Sequence, residues 1–171
     1  AGKPNVGKSS LLNTLLGEKR AIVTPLPGTT LDFIQEFINI NGFSVKLTDT
    51  AGIRTAANII EEEGIALVRE KLSTADLVLM IIDGSAGLTE EDRMIMAGLT
   101  GRRLLLVVNK HDLPQNLEME QVRAILPEVE VLQISAKYGY GLDQLKEAIH
   151  RAVLGAPVDR HTEVMIANIR H

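Results

Sequence analysis

One run of eight residues constrains this chain more than any other. Gly2-Lys3-Pro4-Asn5-Val6-Gly7-Lys8-Ser9 fits the spacing G-x-x-x-x-G-K-S. Its glycines let the backbone turn inward, so that successive N–H groups face phosphate oxygens. A helix that starts directly afterwards points its positive end at the same place. Residues 9–16 read as that helix, apolar at Leu11, Leu12, Leu15 and Leu16 and closed by Gly17. Lys8 is then expected to reach the β- and γ-phosphates and Ser9 to ligate Mg²⁺. Asn5, Val6, Gly7 and Ser10 complete the nucleotide-binding loop. The plain alternative is a Gly-rich helix entry with a surface lysine, and the full motif ahead of an amphipathic helix argues against it.

A phosphate loop of this kind belongs to an alternating α/β chain, and the rest of the sequence alternates. Residues 31–40 and 43–48 read as two strands. Asn41-Gly42 between them signals a tight antiparallel hairpin, because a type I′ turn needs positive φ at both positions. Residues 18–30 read as a loop, punctuated by Pro25, Pro27 and Gly28. Helices are predicted over 61–72, 90–99, 118–126 and 142–153, with apolar strands over 77–83, 104–109 and 129–134. Apolar strands between amphipathic helices imply a mostly parallel sheet covered on both faces. The expected class is an α/β P-loop NTPase fold with one antiparallel edge hairpin and ligands at the carboxyl ends of the strands. A phosphate loop normally follows a central strand, and nothing precedes Ala1 to supply one; upstream sequence is expected to provide it.

Composition narrows the partners. The 171 residues suit one domain with a real core. A formal net charge of −4, aromatics at 3% and no Trp make a poor surface for gripping a polyanion or stacking bases. Any RNA partner is therefore expected to be held by other domains or proteins. The absence of cysteine excludes disulfides and thiolate metal sites and permits the cytoplasm. The apolar runs are far too short to span a bilayer, so no membrane partner is expected.

Four further segments carry chemistry. Asp49-Thr50-Ala51-Gly52 follows a strand about 40 residues after the phosphate loop; an Asp there holds Mg²⁺ through water, and the Gly52 N–H senses a γ-phosphate. Asn109-Lys110-His111-Asp112 ends the strand over 104–109 and fits N-K-x-D. A carboxylate at Asp112 accepts two hydrogen bonds from guanine N1–H and its 2-amino group, a donor pair that adenine lacks. Ser135-Ala136-Lys137 follows the strand over 129–134, and its backbone is placed to contact guanine O6. That triplet is common and counts only in order with the others. Pro27-Gly28-Thr29-Thr30 lies in the first long loop, where Thr30 is expected to reach Mg²⁺ when the γ-phosphate is present and so to couple nucleotide state to loop order. His111 occupies the variable position of its motif and reads as a surface residue. The other histidines are too scattered for a metal site. Glu61-Glu62-Glu63 reads from residue type alone as a solvated helix start.

These five segments stand in the order of the Ras-like GTPase superfamily and span nearly the whole chain. Residues 2–13 (GKPNVGKSSLLN), 21–30 (AIVTPLPGTT), 49–54 (DTAGIR) and 61–65 (EEEGI) resemble the G domain of the tRNA wobble-uridine modification GTPases called MnmE or TrmE, in the Era-like branch. The tail Asn168-Ile169-Arg170-His171 is similar to the point where that family re-enters its helical domain. Residues 61–65 and the tail are the family-specific parts. The resemblance assigns 1–155 to a GTPase domain lacking its first strand and 156–171 to a linker into a following helical domain. It implies Mg²⁺-dependent GTP hydrolysis in the cytoplasm, stimulated by K⁺ through a G-domain homodimer. It further implies a flavin-dependent partner protein, tRNA held through other domains, and folate bound only by a domain absent from this chain. Asn5 matches the K⁺-ligating Asn of the family, and Thr24 begins the loop whose carbonyls complete the K⁺ site. Ile53 stands where Ras-type enzymes carry a water-orienting Gln, and an aliphatic side chain cannot orient water. Glu61 matches the Glu that the family uses instead, through a bridging water. Lys8, Thr30 and Gly52 are the other expected catalytic contacts.

Three alternatives stay open on the sequence. A ribosome-assembly GTPase of the Der or Era type shares the P-N-V-G-K-S, P-G-T-T and D-T-A-G segments and is separated by its flanking domains. A regulatory module that binds GTP and barely hydrolyses it is permitted by Ile53. An ATPase is opposed by Asp112.

Overall fold

In a computed structural model of the chain, the described residues are Leu11, Thr14, 20–21, 35–40, 43–49, 73–154 and 162–168. They form one seven-stranded sheet with helices on both faces. The strands are β1 (Arg20–Ala21), β2 (Gln35–Ile40), β3 (Phe43–Asp49), β4 (Leu77–Asp83), β5 (Leu104–Asn109), β6 (Glu130–Gln133) and β7 (Thr162–Asn168). The helices are α1 (Glu90–Gly98), α2 (Met119–Ile125) and α3 (Leu142–Val153). Leu11 and Thr14 are helical, within the helix expected over 9–16. The helix expected over 61–72 lies outside the described residues.

The sheet order is β1-β2-β3-β7-β4-β5-β6. β2 and β3 pair antiparallel, and the register ends on Ile40 opposite Phe43, as the Asn41-Gly42 signal requires. All neighbours from β3 to β6 pair parallel. Alternation along β4 and β5 then sorts the core into two clusters, because successive side chains of a strand point to opposite faces. Leu77, Leu79, Ile81, Leu105 and Val107 meet Leu145, Ala148, Ile149 and Val153 of α3. Val78, Met80, Ile82, Leu106 and Val108 meet Met96 of α1 and Val122 of α2 on the other face. Burial on both faces explains why these strands are continuously apolar. Each fully buried Leu or Val contributes about 1.5–3 kcal/mol.

Helix starts are fixed locally. Thr89 caps α1 in a reciprocal box: its hydroxyl accepts from Asp92 N–H (3.2 Å), and Asp92 Oδ2 accepts from Thr89 N–H (2.7 Å). α3 starts from Gly141 at φ +76°, where an added Cβ would lie 2.4 Å from the Gln133 carbonyl oxygen. Only glycine fits there.

Two segments differ from the sequence-based expectation. Residues 20–21, read as loop, form β1 against Ile38 and Phe37, which pairs the outer edge of β2. Residues 162–168, read as part of a linker, form β7 at the centre of the sheet, parallel to β3 and β4. The alternation Thr162, Val164, Ile166 places β-branched residues at every second position, a pattern that suits a strand. Among the described residues no helix is long and apolar enough to cross a membrane.

Candidate functional site

The parallel strands bring their carboxyl ends to one edge. Asp83 ends β4 beside Asn109, which ends β5, and Val108 pairs with Gln133 at the end of β6. Asp49 ends β3 on the far side of β7. The residues predicted to read the base therefore converge on the β4–β5–β6 side, as parallel-sheet topology dictates.

Two loops build that side. The first leaves β5 through Lys110, whose φ of +62° is the one positive value at a non-glycine among the described residues. A left-handed lysine costs about 1 kcal/mol or more and persists only where its surroundings fix it. Here Lys110 Nζ donates to Asp83 Oδ2 at 2.5 Å. The Lys110 carbonyl accepts from Gln115 Nε2 at 3.0 Å. Asn109, just before the twist, is buried, and Asp112, two residues after Lys110, is exposed. The second loop follows β6 and is closed by a bridge between Ser135 and Tyr140.

Side chains lock the loops together. Asn109 Oδ1 accepts the Ala136 N–H at 3.0 Å. Ser135 Oγ donates to Asp112 Oδ1 at 2.6 Å. His111 N–H donates to the Ile134 carbonyl at 3.0 Å. One Asp112 oxygen is thus held by a buried hydroxyl while the carboxylate stays open to a ligand. These contacts bring Asn109, Lys110, Asp112, Ser135 and Ala136 to one place. Lys137 is exposed in the same loop, its Nζ lying 5.1 Å over the Tyr138 ring. Asn5, Val6, Gly7, Lys8, Ser9, Ser10, Thr24, Thr30, Gly52 and Glu61 lie outside the described residues. Asp49 is placed at its strand end by the backbone of β3.

Sequence reasoning missed Asp83. Its Oδ1 accepts from both the N–H and the hydroxyl of Ser85, at 2.9 and 2.6 Å. Burial pushes the Asp83 carboxyl up; the hydrogen bonds from Lys110 and Ser85 together outweigh it and hold the pKa below the ordinary carboxylate value. The signal was an Asp at the carboxyl end of a buried strand, which reads as a turn when its partner is 27 residues away. A lowered folded-state pKa contributes stability that is complete above the unfolded value and is lost as pH falls through the folded one. Asp83→Asn is therefore expected to lower the melting temperature at pH 7, with the gap to wild type narrowing below the ordinary carboxylate range. Thermal melts from pH 7 to pH 3 check this; a gap that widens on acidification would refute it.

A groove of about 430 Å³ between Leu99, Leu104, Ile125 and Val129 lies where β5 begins, at the opposite edge, and includes none of the motif residues.

Comparison with known proteins adds to this geometry. The family described as 50S ribosome-binding GTPase matches residues 1–110. A tRNA modification GTPase MnmE of Geobacter sulfurreducens is 52% identical over 172 aligned positions, covering 100% of this chain and 37% of that protein. Its counterpart in Syntrophus aciditrophicus is 53% identical, again over 100% of this chain and 37% of the relative. The chain thus spans well under half the length of these relatives. Among solved structures, the FeoB G domain of Methanococcus jannaschii superposes with a TM-score of 0.61 at 30% identity, covering 89% of this chain and 93% of that one.

Proposed function

The chain belongs to the 50S ribosome-binding GTPase family, and from its likeness to proteins named for tRNA modification we propose that its GTP hydrolysis drives modification of the tRNA wobble uridine. It has the P-loop GTPase fold and is a GTP hydrolase. The single geometric observation behind guanine specificity is the Asp112 carboxylate, fixed by Ser135 and open to a ligand beside the Asn109–Ala136 lock. Likeness over the whole chain to proteins named for tRNA modification supports the wider role. The family description favours one competing reading, a ribosomal partner.

Roles follow residue by residue. Lys8 and the backbone around Asn5, Val6, Gly7, Ser9 and Ser10 bind the phosphates. Asp112 reads the guanine N1–H and 2-amino group, the Ser135-Ala136-Lys137 backbone contacts O6, and Lys110 belongs to the same nucleotide-binding loop. Ser9, Thr30 and Asp49 are hard oxygen donors that suit Mg²⁺; Asn5 and the loop beginning at Thr24 offer oxygens to K⁺. Such cations supply positive charge where negative charge grows on the phosphates. Glu61 orients the attacking water in place of the residue that Ile53 cannot be, and Gly52 senses the γ-phosphate. The working unit is a G-domain homodimer in the cytoplasm, with a flavin-dependent partner and tRNA engaged through other domains.

The test is GTP hydrolysis in Mg²⁺ with KCl against NaCl at matched ionic strength, over a range of protein concentrations. Turnover at least tenfold faster in K⁺, with specific activity rising with concentration, is the expected result. Slow turnover on the scale of intrinsic Ras-type rates, on the order of 10⁻⁴ s⁻¹, indifferent to cation and concentration, would replace this mechanism by a slow switch.

A further inference from the structure

We propose that the stacked rings of His111 and Tyr140 are a positioning clamp that aligns Asp112 with guanine and so sets base specificity without touching the base. The clamp rests on the reading of Asp112 as the guanine carboxylate.

The two rings lie with centroids 5.5 Å apart and planes 18° from parallel, an offset stack. His111 precedes Asp112 in the first loop. Tyr140 closes the second: Ser135 N–H donates to the Tyr140 carbonyl at 3.0 Å, and Tyr140 N–H donates to the Ser135 carbonyl at 3.2 Å. Ser135 Oγ in turn donates to Asp112 Oδ1. The contacts therefore form a closed circuit: Asp112 to Ser135, Ser135 to Tyr140, Tyr140 to His111, and His111 to Asp112 through the chain. Opening any side of that circuit frees the carboxylate to turn.

Backbone and side chain both favour this role over that of a chance surface contact. Gly139 and Gly141, at φ +72° and +76°, flank Tyr140 and fix where its ring emerges. Gly141 has no room for a side chain. His111 Nδ1 is buried with no hydrogen-bond partner among the described residues, so stacking rather than a hydrogen bond at that atom holds the imidazole. Tyr138 provides the contrast. It is more exposed than Tyr140, at 66% against 56%, and its ring lies under the Lys137 amine, outside the circuit.

The test measures affinities of the 171-residue chain for GDP and for IDP, whose base lacks the 2-amino group. One hydrogen bond to a carboxylate corresponds to a GDP preference of about 10- to 150-fold. Tyr140→Ala and His111→Ala are each expected to cut that preference at least fivefold by weakening GDP more than IDP. Tyr140→Phe, which keeps the stack, restores it, and Tyr138→Ala leaves it unchanged. If Tyr140→Ala and His111→Ala weaken GDP and IDP by the same factor, or alter neither, the clamp is overturned while the role of Asp112 stands. If the wild-type chain itself does not distinguish GDP from IDP, the reading of Asp112 falls and the clamp falls with it.

Discussion

Asp112→Asn is expected to turn a guanine site into a xanthine site. The carboxylate offers two acceptors to the two donors on one edge of guanine, N1–H and the 2-amino group. Asparagine replaces one acceptor with an NH₂ donor, which meets the 2-amino group donor to donor. Xanthine carries a carbonyl at that position, and the new NH₂ group matches it. Once the base is bound, its edge and the side chain facing it have left water, so a donor set against a donor leaves both groups unpaired. GTP affinity is expected to fall by about 10²- to 10⁴-fold, with XTP bound more tightly than GTP.

The fold should survive the change. Asp112 is exposed, and an asparagine Oδ1 still accepts the Ser135 hydroxyl that now bonds Asp112 at 2.6 Å. Titration calorimetry with GDP and XDP, beside a thermal melt, separates recognition from stability. A variant that keeps the wild-type preference for guanine, with an unchanged melt, would remove Asp112 from base recognition. The same pair of measurements distinguishes the carboxylate from its support: Asp83→Asn acts on stability through the Lys110 anchor and should not invert the base preference.

The difference between these two aspartates is also the difference between what the sequence discloses and what it hides. Asp112 was legible because N-K-x-D is contiguous and follows an apolar strand. Parallel topology then brings Ser135-Ala136-Lys137 to the same edge from the next strand. Asp83 was hidden because its meaning lies in a pairing, Asp83 opposite Asn109, that no local pattern encodes. His111 was read as a surface residue for the same reason; its neighbour Tyr140 is 29 positions away in the chain and adjacent only through the closed second loop. Between residues 77 and 153 the helix periods and apolar runs match the described elements to within two residues at each end, because both faces of β4 and β5 are buried and leave little freedom of register. The phosphate loop, the threonine switch and Glu61 rest on motif and family likeness. β7 escaped notice because a strand of seven residues near the end of a chain competes with a linker on composition alone. Its place at the sheet centre is a property of the assembled sheet.

That central place makes Val164 the position where a single substitution should do most to the fold. Val164 is fully buried, opposite Leu47 of β3 on one side and Leu77 of β4 on the other. It packs in the cluster that contains Val45, Leu77, Leu79 and α3. Val164→Asp puts a carboxylate there with nothing to pair it. An ionised group in such surroundings costs several kcal/mol, and protonation only shifts the cost to an unsatisfied hydroxyl. The valine burial is lost as well, about 1.5–3 kcal/mol. Domains of this size hold roughly 5–15 kcal/mol in total, so Val164→Asp is expected to unfold most of the population at 25 °C. Val164→Ala, which removes two methyl groups, should cost only about 1–3 kcal/mol and leave a cooperative melt. Circular dichroism and limited proteolysis report both. The functional consequence follows from topology: β7 joins β3, which carries Asp49, to β4, which carries Asp83 and is paired with the base-reading strand β5. Losing β7 parts the phosphate side from the base side, so nucleotide binding should disappear with the fold in Val164→Asp and persist in Val164→Ala. A Val164→Asp chain that melts like wild type and still binds GDP would mean that Thr162–Asn168 is not the strand that unites the two halves in solution.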